Sequence, residues 1–213
     1  MEPIKFKPIL KPTIWGGNKI VNFKHIEGHS DEQIGESWEI SGLEGHESIA
    51  ENGPYKGRNI TEIVTEMKER LVGTDNYKRF GNAFPLLIKF IDAHQDLSIQ
   101  VHPSEEIAKK HGLKNGKTEM WFIMDSDPGA FIRCGLKDRI TPEQYKEMVA
   151  DNTICDAIAK FEVKADDCIF IPAGRIHSIG KGCLLAEIQQ ASDVTYRIYD
   201  FNRRDKDGNL REL

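Results

Sequence analysis

Short segments rich in Ile, Val and Phe, each bounded by turn residues, fill most of the second half of the chain. Their alternation predicts strands over 84–91, 97–101, 118–124, 161–163, 168–171, 176–179, 183–189 and 194–200. A different period governs Ile60, Ile63, Val64, Met67 and Leu71, which share one helical face, with Gly73 placed as the C-terminal cap. A second helix starts at Thr141-Pro142-Glu143-Gln144, where Thr caps, Pro occupies the first helical position and Gln closes a capping box; it runs to Ala150. A further short helical stretch covers 153–159. The first 58 residues read as irregular, with turn-rich Trp15-Gly16-Gly17 and 42–57 and a brief apolar alternation over 37–41. Helices interrupt groups of strands without a βαβ rhythm, so the pattern predicts a mainly β fold: an antiparallel β-sandwich or jelly-roll barrel with helical decoration.

Within three of these strands the polar positions are chemically unusual. Residues two apart share a strand face, which groups Ser98, Gln100 and His102, then Lys117, Glu119 and Trp121, then Asp193, Thr195 and Arg197. Any one such face reads most simply as the solvent side of a half-exposed sheet. Gln-x-His followed by Pro103 differs from an ordinary wet face because it offers two neutral ligands at one place. The sharpest local signal is 171–179, where Pro172 and Gly174 make a tight turn that delivers His177 to the start of the next strand. His102, Glu119 and His177 together supply two imidazoles and one carboxylate, which suits zinc or another divalent transition metal with an open coordination position. Gln100 offers a fourth, neutral donor.

Composition narrows the function classes. The 213 residues carry 29 Lys+Arg against 34 Asp+Glu, a net charge of -5 that argues against a dedicated binder of nucleic acid or of an anionic membrane. The apolar runs fall far short of the roughly 20 residues that span a bilayer, and the N-terminus lacks the apolar core of a secretory signal. Cys134, Cys155, Cys168 and Cys183 form no Cys-x-x-Cys pair and no dense framework, so they read as reduced thiols of a cytoplasmic protein. No repeat or linker divides the chain, and 1–213 reads as one domain with 1–58 packed on the barrel.

Pro172-x-Gly174-x-x-His177 resembles the second motif of the cupin superfamily. Gln100-x-His102-Pro103, Lys117-Thr118-Glu119-Met120-Trp121 and the run from Gln189 to Asp200 together resemble type I mannose-6-phosphate isomerase in its short bacterial form. Trp15-Gly16-Gly17 and Gly35-Glu36-Ser37-Trp38-Glu39 are similar to that family's N-terminal segment. The resemblance implies a cupin-type barrel, one zinc ion per chain held by Gln100, His102, Glu119 and His177, and a small phosphorylated sugar as substrate. It also implies that Arg197 is the catalytic arginine, that Lys117 lies beside the substrate and that Ser98 and Asp193 line the same pocket. A second, C-terminal lobe implied by the resemblance is expected to be absent, since the sequence stops at Leu213.

The chemistry implied is the interconversion of mannose 6-phosphate and fructose 6-phosphate through a cis-enediolate. A divalent cation stabilises the developing charge as a Lewis acid, and fixed cations such as Arg197 and Lys117 add to it. The reaction needs a general base. Asp193 has the better case because it shares a face with Arg197, although it could instead orient His102 or pair with Arg197. Glu187 is the second carboxylate candidate, with His94 and Lys117 behind it. Arg203 and Arg204 read as a solvated tail, Trp121 and Phe122 as core, and Trp15 and Trp38 as packing the N-terminal segment over the barrel. His25, His29, His46 and His111 receive no role. Two other readings share the ligand set: a non-haem iron cupin oxygenase, which has no need of the cations Lys117 and Arg197, and a cupin that binds a phosphosugar without turning it over. The oligomeric state is open.

Overall fold

Alternating apolar residues build strands in all the predicted places and in three more. The computed structural model describes residues 2–29, 33–205 and 207–213. Among them run β1 (Ile9–Gly17), β2 (Ile34–Ser41), β3 (Leu86–Ala93), β4 (Ile99–Val101), β5 (Glu119–Ser126), β6 (Phe131–Leu136), β7 (Ile158–Glu162), β8 (Cys168–Ile171), β9 (His177–Ile179), β10 (Cys183–Gln190) and β11 (Tyr196–Tyr199). They form two antiparallel sheets, one of order β1-β2-β3-β10-β5-β8 and one of order β11-β4-β9-β6-β7. The sheets meet over a core that takes Ile91, Trp121, Ile123 and Leu185 from the first and Ile132 and Ile179 from the second. Burying a side chain of this size contributes about 1.5–3 kcal/mol, so this shared layer holds the two sheets together.

The N-terminal 58 residues are not an irregular cover: β1 and β2 complete the larger sheet, and Trp15 and Trp38 are buried within it. Pro12, Gly16 and Gly17 hid β1 in the sequence. Proline removes a ladder donor, yet β1 is an edge strand, where that loss is tolerated, and the register shifts at Pro12. Likewise β6 was concealed by Arg133 and by Gly135, which has φ +77° at a bulge opposite β7.

Helices follow their caps. Asn59 accepts from the Glu62 N–H at 2.8 Å, Glu62 returns the bond, and the helix Ile60–Met67 buries Ile60, Ile63, Val64 and Met67. It does not continue to Gly73. Lys68, at φ +52°, breaks it, and a separate turn, Glu69–Val72, ends at Gly73. The Thr141–Gln144 capping box forms as expected and opens Pro142–Ala150. The stretch over 153–159 is helical only at Ile154–Ala157 before β7 begins. No helix among the described residues is long and apolar enough to cross a membrane, and all four cysteines are free.

Where β1 crosses β2, backbone meets backbone. A Cβ on Gly16 would lie 2.4 Å from the Gly35 nitrogen, which leaves no room for any side chain. Gly16→Ala is therefore expected to lower stability by about 1–3 kcal/mol, the usual cost of overpacking, read as a lower urea midpoint at unchanged slope. An unaltered midpoint would show that the two strands can part freely.

Candidate active site

Strand register assembles the polar residues before any side chain is considered. In the smaller sheet Arg197 lies opposite Gln100, and Gln100 opposite His177, so the three form one row across β11, β4 and β9. In the larger sheet Gln189 pairs with Glu119, and the next row runs Trp121, Glu187, Lys89 and Trp38 across β5, β10, β3 and β2. The turn before β9 is tied to the His102 strand: the Gly174 N–H, at φ +82°, donates to the His102 carbonyl at 2.9 Å. Only a residue at ease with positive φ serves there.

His102, Glu119 and His177 converge. The three residues are 2%, 1% and 0% exposed, and one ligand atom from each lies within 4.8 Å of the others. Glu119 Oε2 is 3.3 Å from His102 Nε2, Glu119 Oε1 is 3.2 Å from His177 Nε2, and the two Nε2 atoms are 3.2 Å apart. The opposite ring nitrogens fix the tautomers. His102 Nδ1 lies 3.1 Å from the Val194 carbonyl and His177 Nδ1 lies 2.8 Å from the Arg175 carbonyl. A carbonyl only accepts, so each Nδ1 carries the proton and each Nε2 presents its lone pair. Burial, with the Lys117 charge adding to it, drives the His102 pKa down to about 4, so its ring is neutral near pH 7. Burial opposes ionisation of Glu119, yet the carboxyl is held well below the ordinary range by the polar groups packed against it, the Lys117 ammonium at 3.6 Å among them.

Two lone pairs and an ionised carboxylate thus face one another, and neither Glu119 oxygen has a hydrogen-bond donor. Such a set fits a divalent cation: two imidazoles and a carboxylate whose second ring nitrogens are anchored to main-chain oxygens. The Gln100 amide nitrogen, Nε2, is 3.4 Å from His177 Nε2, and exchanging the two ends of the amide would turn its oxygen to the donor set.

A cleft of about 230 Å³ adjoins this cluster. His102, Glu119 and His177 are not on its wall. Gln100, beside His177, and Lys117, whose Nζ is 3.6 Å from Glu119 Oε2, are the residues that connect the two. Ser98, Asp193 and Arg197 line it as well. Asp193 takes neither supporting duty suggested for it, because His102 is oriented by Val194 and the Arg197 Nη1 donates to the Glu212 carbonyl at 2.6 Å. The Arg197 Nε is buried and unpartnered.

The opposite wall carries a charge network that sequence reasoning did not assign. Lys89 reaches Glu187 at 2.8 Å and Glu36 at 3.3 Å, Trp121 donates to Glu187 at 2.8 Å, and Trp38 donates to Glu36 at 2.6 Å. Burial pushes the Glu187 carboxyl up and the Glu119 charge adds to this, against Lys89. Burial acts to lower the Lys89 pKa, but Glu187 and Glu36 raise it above its ordinary value. The signal was present in the sequence: Lys89 is a single cation within the apolar run Leu86 to Ile91. Other expectations are corrected. Phe122 is 38% exposed on the outer face, His94 is exposed and off the cleft, and Arg203 is no solvated tail but bonds buried Asp200 and the Asp96 carbonyl. Arg204 does stand in solvent.

A family model for the catalytic domain of type I phosphomannose isomerase matches residues 4–164. The mannose-6-phosphate isomerase ManA of Bacillus subtilis is 39% identical over 213 residues, covering 100% of this chain and 65% of ManA. The crystal structure of the mannose 6-phosphate isomerase from Bacillus subtilis superposes with a TM-score of 0.90 at 35% identity, over 100% of this chain and 66% of that one. A zinc-bound mannose 6-phosphate isomerase, 14% identical with a TM-score of 0.69 over 92% of this chain and 70% of its own, shares the cupin-type fold. The chain thus spans about two thirds of the length of the relatives it matches. By the family model and by identity sustained along all 213 residues, the chain belongs to the type I phosphomannose isomerase family.

Proposed function

We propose that this chain carries the active site of a zinc-dependent aldose–ketose isomerase that interconverts mannose 6-phosphate and fructose 6-phosphate through a cis-enediolate. The observation that carries the proposal is the convergence of His102, Glu119 and His177 on one point, adjoining a cleft whose wall holds Gln100, Lys117, Asp193 and Arg197. His102, Glu119 and His177 would hold one Zn²⁺ with Gln100 as the fourth donor, and the ion would supply Lewis acidity to the sugar oxygens.

The chain's own residues do the rest. Arg197 brings a guanidinium that, among the described residues, is hydrogen-bonded to a main-chain carbonyl alone, so its charge remains available to oxygens that become negative during the reaction. Lys117, 6% exposed, adds a second cation against Glu119. Asp193 moves the proton between adjacent carbons: it lines the cleft, and among the described residues no hydrogen bond or ion pair occupies its carboxylate. Glu187 is the less suitable base because Lys89 and Trp121 already bind its two oxygens. The walls from Trp15, Leu87, Leu97 and Ile179 keep the reacting carbons away from bulk water.

A coupled assay for fructose 6-phosphate formed from mannose 6-phosphate tests the reading. Chelation is expected to abolish turnover and added zinc to restore it, whereas full activity in metal-stripped protein would refute the proposal. His177→Ala should lose bound metal by elemental analysis. Arg197→Ala should retain the metal and lose about 10²–10³-fold in kcat, the usual effect of removing one charge-stabilising donor; normal turnover would remove Arg197 from the chemistry. Asp193→Asn should also keep metal and lose about 10²–10⁴-fold in kcat, and Glu187→Gln should lose less. The reverse order would transfer the base to Glu187.

A further inference from the structure

We infer that Arg211 is a second anion-binding arginine of the cleft, set there by Asp200 to hold the phosphoryl group of the substrate beside Arg197. The inference rests on reading the cleft as a sugar-phosphate site and names the part of it that grips the phosphate.

The chain after β11 folds back on itself. Arg204 and Leu210 form an antiparallel bridge, the Arg211 N–H donates to the Arg203 carbonyl at 3.2 Å, and Asp205 closes the turn by accepting from the N–H groups of Asp207 and Asn209, both at 2.9 Å. This return brings Arg211, fourteen residues after Arg197 in the sequence, onto the cleft wall that also holds Arg197.

Its placement is built rather than incidental. Asp200 is 3% exposed; one oxygen accepts from Arg211 Nη1 at 2.8 Å and the other binds Arg203, whose Nη1 is itself fixed to the Asp96 carbonyl at 2.7 Å. One buried carboxylate therefore serves two arginines. A third, Arg197, stands close enough that burial and then the Arg211 charge pull its pKa below the ordinary value. Crowding guanidinium groups around a single carboxylate is unfavourable unless an anion comes between them, and a dianion with several acceptor oxygens suits planar donors best.

The remaining cations of the cleft are committed. Lys89 is shared by Glu36 and Glu187, and Lys117 faces Glu119. Arg197 is bound through Nη1 only, with Nε buried and unpartnered. Arg211 likewise spends Nη1 on Asp200. Arg211 thus keeps donors free on the cleft wall, where a phosphoryl group would leave the sugar carbons free to reach Arg197, Gln100 and Lys117.

The test compares Arg211→Gln, Arg211→Lys and Arg204→Gln with the unaltered full chain. Arg204 is exposed and bonds the Gly208 carbonyl, so its variant loosens the same hairpin without touching the cleft. Arg211→Gln should raise KM for mannose 6-phosphate roughly tenfold or more, as expected for loss of a charge-assisted hydrogen bond, with kcat held within about twofold. The inhibition constant of inorganic phosphate should rise in the same ratio, Arg211→Lys should recover part of both, and Arg204→Gln should alter neither. Unchanged KM and phosphate inhibition in Arg211→Gln, or equal changes in Arg204→Gln, would overturn the inference and leave the isomerase reading standing. If the chain turns over no mannose 6-phosphate, calorimetry with inorganic phosphate decides separately. Binding that Arg211→Gln abolishes upholds the anion subsite while the isomerase reading fails, and binding that is absent or indifferent to Arg211 overturns the subsite.

Discussion

A carboxylate and two imidazole lone pairs cannot share a buried space a few ångströms wide unless positive charge meets them. Glu119, His102 and His177 are held in that arrangement by features that have no freedom to relieve it. The Val194 and Arg175 carbonyls fix which ring nitrogens carry protons, and the Pro172–Gly174 turn is bonded to the very strand that carries His102. Holding these buried polar groups together without hydrogen-bond donors for Glu119 costs stability that packing alone would not demand. Lys117 supplies part of the compensation at 3.6 Å, and the donor set is one that could hold a metal ion.

The same constraint explains a sheet whose polarity is turned inside out. Along β3 the buried positions include Lys89 while Ile88 and Phe90 are half-buried on the other side. Along β5 Glu119 and Trp121 face inward while Phe122 is exposed. An ordinary half-wet sheet has its charges outside. Here the interior divides: one part is the apolar layer of Ile91, Ile123, Leu185 and Ile179, and the other is the charged row Glu187–Lys89 with Glu36 beside it. Isolated, a buried Lys89 would be strongly unfavourable. Shared between two carboxylates that are themselves capped by Trp38 and Trp121, it becomes a closed network that sets the shape of the cleft.

Much of this could be read before folding, and the failures have physical causes. Period-two alternation announced the faces carrying Gln100 and His102, Lys117 and Glu119, and Asp193 and Arg197, because register places i and i+2 together whatever the tertiary context. Alternation does not say which face is inside, and so Phe122 was assigned to the core and Lys89 to nothing. Gly135 and Pro12 concealed strands because their local preferences oppose a regular ladder, although a bulge and a sheet edge accommodate them. Lys68 at positive φ split a helix that periodicity alone would continue to Gly73. Arg211 was invisible for a different reason: its place depends on a fold-back closed by Asp205 and a partner, Asp200, that no local pattern connects to the cleft.

The site also binds the two sheets into one mechanical unit. Gln100 and His177 belong to the smaller sheet, with His102 at the end of β4, while Glu119, Glu187 and Lys89 belong to the larger. The distance between Glu119 and the two imidazoles is therefore a distance between sheets, set by the apolar layer that separates them a few residues away. A cavity in that layer would let the sheets settle by fractions of an ångström, and Glu119 oxygens that lie 3.2–3.3 Å from the imidazoles across the two sheets would lose their common point with them. In this architecture the packing of Trp121 against His177, with ring centroids 5.5 Å apart, is part of the donor cluster as much as of the core. Its indole N–H holds Glu187 while its ring faces the histidine, so one side chain couples the core, the charge network and the donor set.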